Sequence, residues 1–406
     1  MHVLFVEPCF PQNQTKFVLA LASVGARVTG IGERPLEYLP SEVREALYGY
    51  EQVGSVVYEP ELLEAVRRVQ AREWVDRLEA TVEAHIMPVA NVREQTGIPG
   101  TSVRTAFLCR DKPSMKAAVA EAGLPCAQSA GVSSPDEARE FARRVGYPII
   151  FKPRGGAGAA DTERIDNDAQ LEDAIARHNL DHGRSVAAEE FIEGHEGFYD
   201  TLTIDGRIVH DFACHYYPGV LEAMRRRDVS PYFITTNRLD DPSYGEVKEL
   251  GRRVIEVMGI GTSATHMEWF YGPKGLKFSE IGCRPPGVGG WDLYCAANEF
   301  DLYREWAMAV VHGRPDHPPS RGYSAALLSL RPERDGRIQG YPGLEVVEQR
   351  FGECIIDGHF PPVGSPTSPI EAGYMANAWI RMRHPDYDEL RQIVETVGRT
   401  VRVLAG

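Results

Sequence analysis

Short apolar runs alternate with stretches of helical spacing through the first hundred residues. Val3 to Val6 and Arg27 to Ile31 read as buried strands. Thr15 to Ser23 reads as a helix ended by Gly25, Glu61 to Gln70 as a second helix, and Ile86 to Val89 as a further short strand. The order predicts a small open α/β domain over residues 1–100, closed by Ile98-Pro99-Gly100. Glu7-Pro8-Cys9-Phe10 follows the first strand where a dinucleotide fold would carry Gly-x-Gly-x-x-Gly, so that fold has no support.

The pattern then changes. Asp111 is placed to cap a helix with Pro113 in its first turn and Gly123 at its end, and Ser134-Pro135 opens another that Gly146 closes. Pro148 to Lys152 reads as a strand that runs into Pro153-Arg154-Gly155-Gly156-Ala157-Gly158. A helix capped near Asn167 follows, then a strand from Val186 to Ile192. Phe198 to Ile204 and Arg207 to His215 form a hairpin through Asp205-Gly206. After a helix from Ser243 to Met258 comes a second hairpin, Thr265 to Tyr271 against Leu276 to Ile281, turning at Gly272-Pro273-Lys274-Gly275. Beyond the linker at His317-Pro318-Pro319-Ser320 lie short strands, a Pro-rich loop and a helix from Tyr387 to Val397. This predicts three units, residues 1–100, 101–314 and 315–406, in a mixed α/β and α+β chain.

Composition excludes some roles. A net charge of −14 argues against nucleic acid or an anionic membrane surface as the main partner. No apolar run reaches transmembrane length, and the first residues read as a strand rather than a signal peptide. Seven scattered cysteines with no Cys-x-x-Cys pair fit a reduced cytoplasm and give no zinc or disulfide signal. Only seven lysines stand against 37 arginines, and two of them, Lys112 and Lys152, fall at element boundaries.

The second hairpin carries the strongest chemical signal. Its register brings Glu268 and Glu280 almost opposite each other, where they repel unless a cation intervenes. Mg²⁺ with a nucleotide phosphate would serve, since hard cations take oxygen ligands. The plainer alternative is an exposed hairpin whose acids pair with Lys274 or Lys277. Lys152 before a glycine loop offers a point charge and backbone N–H groups to phosphate oxygens, although no Walker sequence is present. Glu189-Glu190-Phe191-Ile192-Glu193-Gly194-His195-Glu196 has backbone groups for a purine edge and a carboxylate for ribose hydroxyls, or is an acidic surface loop. Of Arg225, Arg226 and Arg227, at least two are expected to be solvated, and His266 leans toward a structural role.

A lysine heading a helix, a strand-end lysine before glycines, an acidic hinge, then two carboxylates and an arginine: this succession resembles the ATP-grasp superfamily over about Ile98 to Gly313. The resemblance implies an ATP-grasp fold with an N-terminal α/β domain and a C-terminal lid similar in position to that of biotin-carboxylase-like and amino-acid ligase members. It implies that Lys112 and Lys152 contact ATP phosphates under a loop of Gly155, Gly156 and Gly158. Glu189 would meet the adenine amino group, the Glu190 and Ile192 backbones the purine edge, and Glu196 the ribose. Glu268 and Glu280 would bind Mg²⁺, or Mn²⁺ in its place. Arg284 would act with Lys152 as a catalytic residue on the transferring phosphoryl group and substrate carboxylate. Many members carry Glu-x-Asn where this chain has Glu280-Ile281-Gly282, so one metal ligand is missing.

The glycine-rich Arg284-Pro285-Pro286-Gly287-Val288-Gly289-Gly290 looks like the version found in members that join amino acids. The implied activity is a cytoplasmic carboxylate–amine ligase. It would couple a small carboxylic acid or amino acid to an amine through an acyl phosphate, releasing ADP and phosphate. The rivals are a biotin-carboxylase-like enzyme that phosphorylates bicarbonate, against which the absent Gln-Val-Glu-His run counts, and a nucleotide-binding module without chemistry. A homodimer is common in the family, though these residues carry no signal for it.

Overall fold

The computed structural model describes residues 1–156 and 161–406. The first unit is a four-stranded parallel sheet in the order Leu47–Gln52, Arg27–Gly32, His2–Val6, Arg77–Glu79. Ile86 to Val89, expected as a strand, opens the helix Ile86–Thr96 instead. Ile86, Val89, Ala90, Val92 and Arg93 are buried on it, a helical spacing that the short apolar run disguises.

The capping signals hold. The Asp111 side chain accepts from the Ser114 N–H and starts the helix Lys112–Glu121. Ser134 does the same for Pro135–Val145, and Asn167 for Asp168–Arg177. The last two helices cover a small antiparallel sheet ordered Ser129–Val132, Val186–Glu190, Ile149–Pro153, Glu163–Ile165.

An eight-stranded antiparallel sheet dominates the rest. Its order is Gly275–Gly282, Ser263–Gly272, His195–Ile204, Arg207–Tyr217, Tyr232–Thr235, Ser324–Leu330, Ala378–His384, Ile355–His359. The sheet therefore runs without a break across the linker near residue 315, because Tyr232–Thr235 pairs with Ser324–Leu330. Strand alternation sends Phe198 and Leu202 to a core shared with Phe5, Phe17, Trp291 and Trp306, which ties this face to the N-terminal unit. Tyr199 and Met267 go to the opposite face, against Leu250 and Val254 of the helix Gly245–Met258. The two sheets leave between them a cavity of about 1200 Å³. None of the described helices is long and apolar enough to cross a membrane.

Candidate active site

Lys152 and Glu189 come from neighbouring strands of the small sheet. Lys152 stands opposite Ala187 and Ile150 opposite Glu189, so the lysine and the acid share a face. Lys152 Nζ lies 3.0 Å from Glu189 Oε2 and 3.6 Å from Glu280 Oε2. Lys112 opens the helix alongside, donates to the Gly156 carbonyl at 2.8 Å and lies 3.4 Å from Glu280. One turn further on, Lys116 reaches Glu189 Oε2 at 2.5 Å. Burial opposes the Lys152 cation, but Glu189 and Glu280 outweigh it and hold its pKa above the ordinary lysine value. For Lys116 burial wins, and its pKa falls despite Glu189.

The large sheet supplies the acids. Glu268 and Glu280 are directly opposed, with a register shift just after Glu268. Neither pairs with the hairpin lysines, since Lys274 is bonded to Glu190. Against the cost of burial, Lys112, Lys152 and Lys116 hold the Glu280 pKa down to about 2. Glu196, whose Oε2 accepts from the Val220 N–H at 2.6 Å, is pushed up to about 8 by burial and then by the Glu268 charge. His266 lies 3.6 Å from Glu268 and donates from Nδ1 to Asp200 Oδ1 at 2.7 Å. Burial disfavours its charge, but Asp200 and Glu268 raise its pKa to about 9. Asp200 in turn accepts from the Tyr294 hydroxyl at 2.5 Å.

Lys112, Lys152, Gly155, Gly156, Glu189, Ile192, Glu196, Glu268 and Glu280 thus all border one cavity. Gly158 lies outside the described residues. The Glu190 side chain turns to Lys274 and the Gln128 N–H. Arg284 does not border the cavity; its Nε donates to Glu83 Oε2 at 2.9 Å, and it lines a separate small pocket with Glu79 and Arg93. Arg226 pairs with Glu222 and Asp228, and Arg227 with Asp335, while Arg225 and Arg226 both border the cavity wall.

Sequence reasoning missed Lys116, Glu83 and Asp200. Only Lys116 left a signal, four residues after Lys112 in a chain poor in lysine. The carboxylate pair fits a divalent cation as part of a wider oxygen set, because Glu268 and Glu280 meet at the cavity wall beside lysines suited to phosphate. Among the described residues, the tightest cluster of ligand-type side chains is elsewhere, at Glu305, Asp316 and His317. There Glu305 is already satisfied by His210 and two backbone N–H groups.

Comparison with known proteins identifies the family. The model of the ATP-grasp domain matches residues 117–300. The L-arginine-specific L-amino acid ligase of Bacillus subtilis is 30% identical over 285 residues, spanning 68% of this chain and 68% of that protein. Alanine–anticapsin ligase of Bacillus subtilis strain 168 is 26% identical over 236 residues, 52% of this chain and 48% of that one. The crystal structure of L-amino acid ligase from Bacillus licheniformis shares the fold, with a TM-score of 0.77 at 18% identity over 100% of this chain and 98% of the other. Lysines and paired acids around one cavity, in a chain with these relatives, mean that the protein belongs to the ATP-grasp family, as a ligase that forms carbon–nitrogen bonds.

Proposed function

We propose that this ligase joins an amino acid, or another small carboxylic acid, to the amine of a second amino acid. The observation that carries the reading is the meeting of Lys112, Lys116 and Lys152 with Glu268 and Glu280 around one cavity. A carboxylate is a poor electrophile because its leaving group would be oxide. Its oxygen attacks the γ-phosphorus of ATP, ADP leaves, and the acyl phosphate so formed has a good leaving group. The amine then attacks the acyl carbon, phosphate departs, and the nitrogen loses a proton.

Lys112 and Lys152 offset the charge on the transferring group. Glu268 and Glu280 are the residues that would hold Mg²⁺ or Mn²⁺, which supplies Lewis-acid charge at the phosphates. Glu189 and the backbones of Glu190 and Ile192 bind the purine, and Glu196 the ribose. Gly155 and Gly156 cover the phosphates. Arg284, one layer out beside Glu83, reaches the phosphoryl group by leaving that partner. All seven cysteines are free thiols, which suits a reducing compartment, and we place the protein in the cytoplasm. We read the assembly as a homodimer, which sedimentation would check.

The test is ADP release with Mg²⁺-ATP against a matrix of L-amino acids, singly and in pairs, with bicarbonate as a control. Turnover confined to particular pairs supports the proposal and names both substrates. Turnover with bicarbonate and no amine would replace it with bicarbonate phosphorylation. ATP binding without turnover across amino acids and other small acids would leave a binding module.

A further inference from the structure

Two arginines from distant parts of the chain close on one carboxylate. Arg284 Nε donates to Glu83 Oε2 at 2.9 Å, and Arg110 Nη1 lies 3.3 Å from Glu83 Oε1. The same Nη1 donates to the Glu83 backbone carbonyl at 2.9 Å, which anchors Arg110 wherever the carboxylate goes. Among the described residues, Nε and Nη2 of Arg110 and Nη2 of Arg284 donate to no protein acceptor. Within this trio two positive charges stand against one negative charge.

The trio adjoins the phosphate end of the cavity. Glu280 and Gly282 share a face of one strand, and the Arg284 side chain lies over Gly282, its Cγ 3.5 Å from where a Cβ would be. Arg110 lies against the glycine loop, since a Cβ on Gly155 would stand 3.6 Å from its Nε. The place that the two guanidiniums share therefore falls between the strand carrying Glu280 and the loop carrying Gly155. It is open to small solutes, because the Arg110 side chain is 35% exposed and that of Glu83 24%.

We propose that Arg110 is a second binding residue for the carboxylate that ATP phosphorylates, that it acts with Arg284, and that Glu83 holds their shared place until that acid arrives. This rests on the reading of the protein as a carboxylate–amine ligase. A guanidinium offers a fork of N–H donors that matches a carboxylate. Glu83 presents the same chemical group as the incoming acid and so competes with it. Entry exchanges one carboxylate for another on the same donors, and the displaced Glu83, already half in water, rehydrates at low cost. The positive charge that Glu83 leaves unbalanced draws the new anion in.

The test uses the pair of substrates that turns over, with initial rates measured as each member is varied in turn at saturating ATP. Arg110→Met should raise the KM of one member, the acid that is phosphorylated, by at least about tenfold, the ratio for one hydrogen bond between charged groups. The KM of the other member and the calorimetric affinity for Mg-ADP should stay within twofold. Glu83→Gln should lower the same KM several-fold, because it removes the competitor's charge, whereas a merely structural link would raise it. Glu83→Gln, nearly isosteric, decides the matter if Arg110→Met does not fold. An unmoved KM in Arg110→Met, parallel losses for both substrates and ADP, or a raised KM in Glu83→Gln would overturn the inference while leaving the ligase reading standing. Mg-ADP binding without turnover of any pair in the wild type would overturn both.

Discussion

Lys152→Met takes away a charge and keeps most of the side-chain bulk. Lys152 is 9% exposed, and its Nζ stands between Glu189 and Glu280. Its raised pKa means that it carries its charge throughout any working pH range. Lys112, Lys116 and Lys152 outnumber Glu189 and Glu280 by one positive charge; the substitution brings that balance to zero. At roughly 4 Å and an effective dielectric of about 20, a unit charge acts on a phosphoryl oxygen with about 4 kcal/mol. That agrees with the ~2.7–4 kcal/mol lost when one preorganised donor to a developing anion is removed. The turnover number should therefore fall about a hundred- to a thousandfold.

Stability should suffer less. Stripping one partner from a buried pair costs about 3–5 kcal/mol, but here Lys116 stays on Glu189 and Lys112 on Glu280. The assay is phosphate release at saturating ATP with the best substrate pair, alongside a thermal melt. A folded variant that keeps its turnover number within threefold would refute the charge argument. Outright unfolding would refute the claim that the other two lysines hold the acids.

Two further predictions follow from the acids. Glu280→Gln should raise the Mg²⁺ concentration needed for half-maximal turnover by about tenfold or more while ADP binding without metal changes little; an unchanged metal requirement removes Glu280 from the metal site. The pH dependence of stability has a definite sign: the folded pKa values of Glu196, about 8, and His266, about 9, lie above their ordinary values of 4.5 and 6.5. Their contributions are complete below pH 4.5 and 6.5 and are lost as pH rises through about 8 and 9, so the melting temperature should fall between pH 6.5 and 9. Because the Glu268 charge helps raise both, the fall should be shallower in Glu268→Gln, and equal slopes would dismiss the coupling.

What the sequence disclosed was local in origin. Helix starts at Asp111, Ser134 and Asn167 follow from one side chain meeting one N–H three residues on. The opposition of Glu268 and Glu280 follows from a turn of fixed length. Ile86–Val89 failed because four apolar residues carry no period, and the helix becomes visible only when Arg93 is counted as buried. Glu83 and Asp200 could not be found this way. Each meets its partner, Arg284 or His266, across a sequence separation of 201 or 66 residues, and only the packing of the N-terminal unit on the large sheet, or the pairing of neighbouring strands, brings them together.

Gly282 joins the two kinds of information. The family pattern expects asparagine there, and the backbone does not demand glycine, since Gly282 is not among the positive-φ residues. What stands over it is the Arg284 side chain: a Cβ at 282 would meet its Cγ, Nε and Cζ at 3.5, 3.6 and 3.7 Å. The first carbon of a side chain at 282 would therefore fit at ordinary contact distance, so neither the backbone nor the space next to it requires glycine here. What the structure adds is the Arg284–Glu83 link, which joins the segment just after Glu280 to the N-terminal unit.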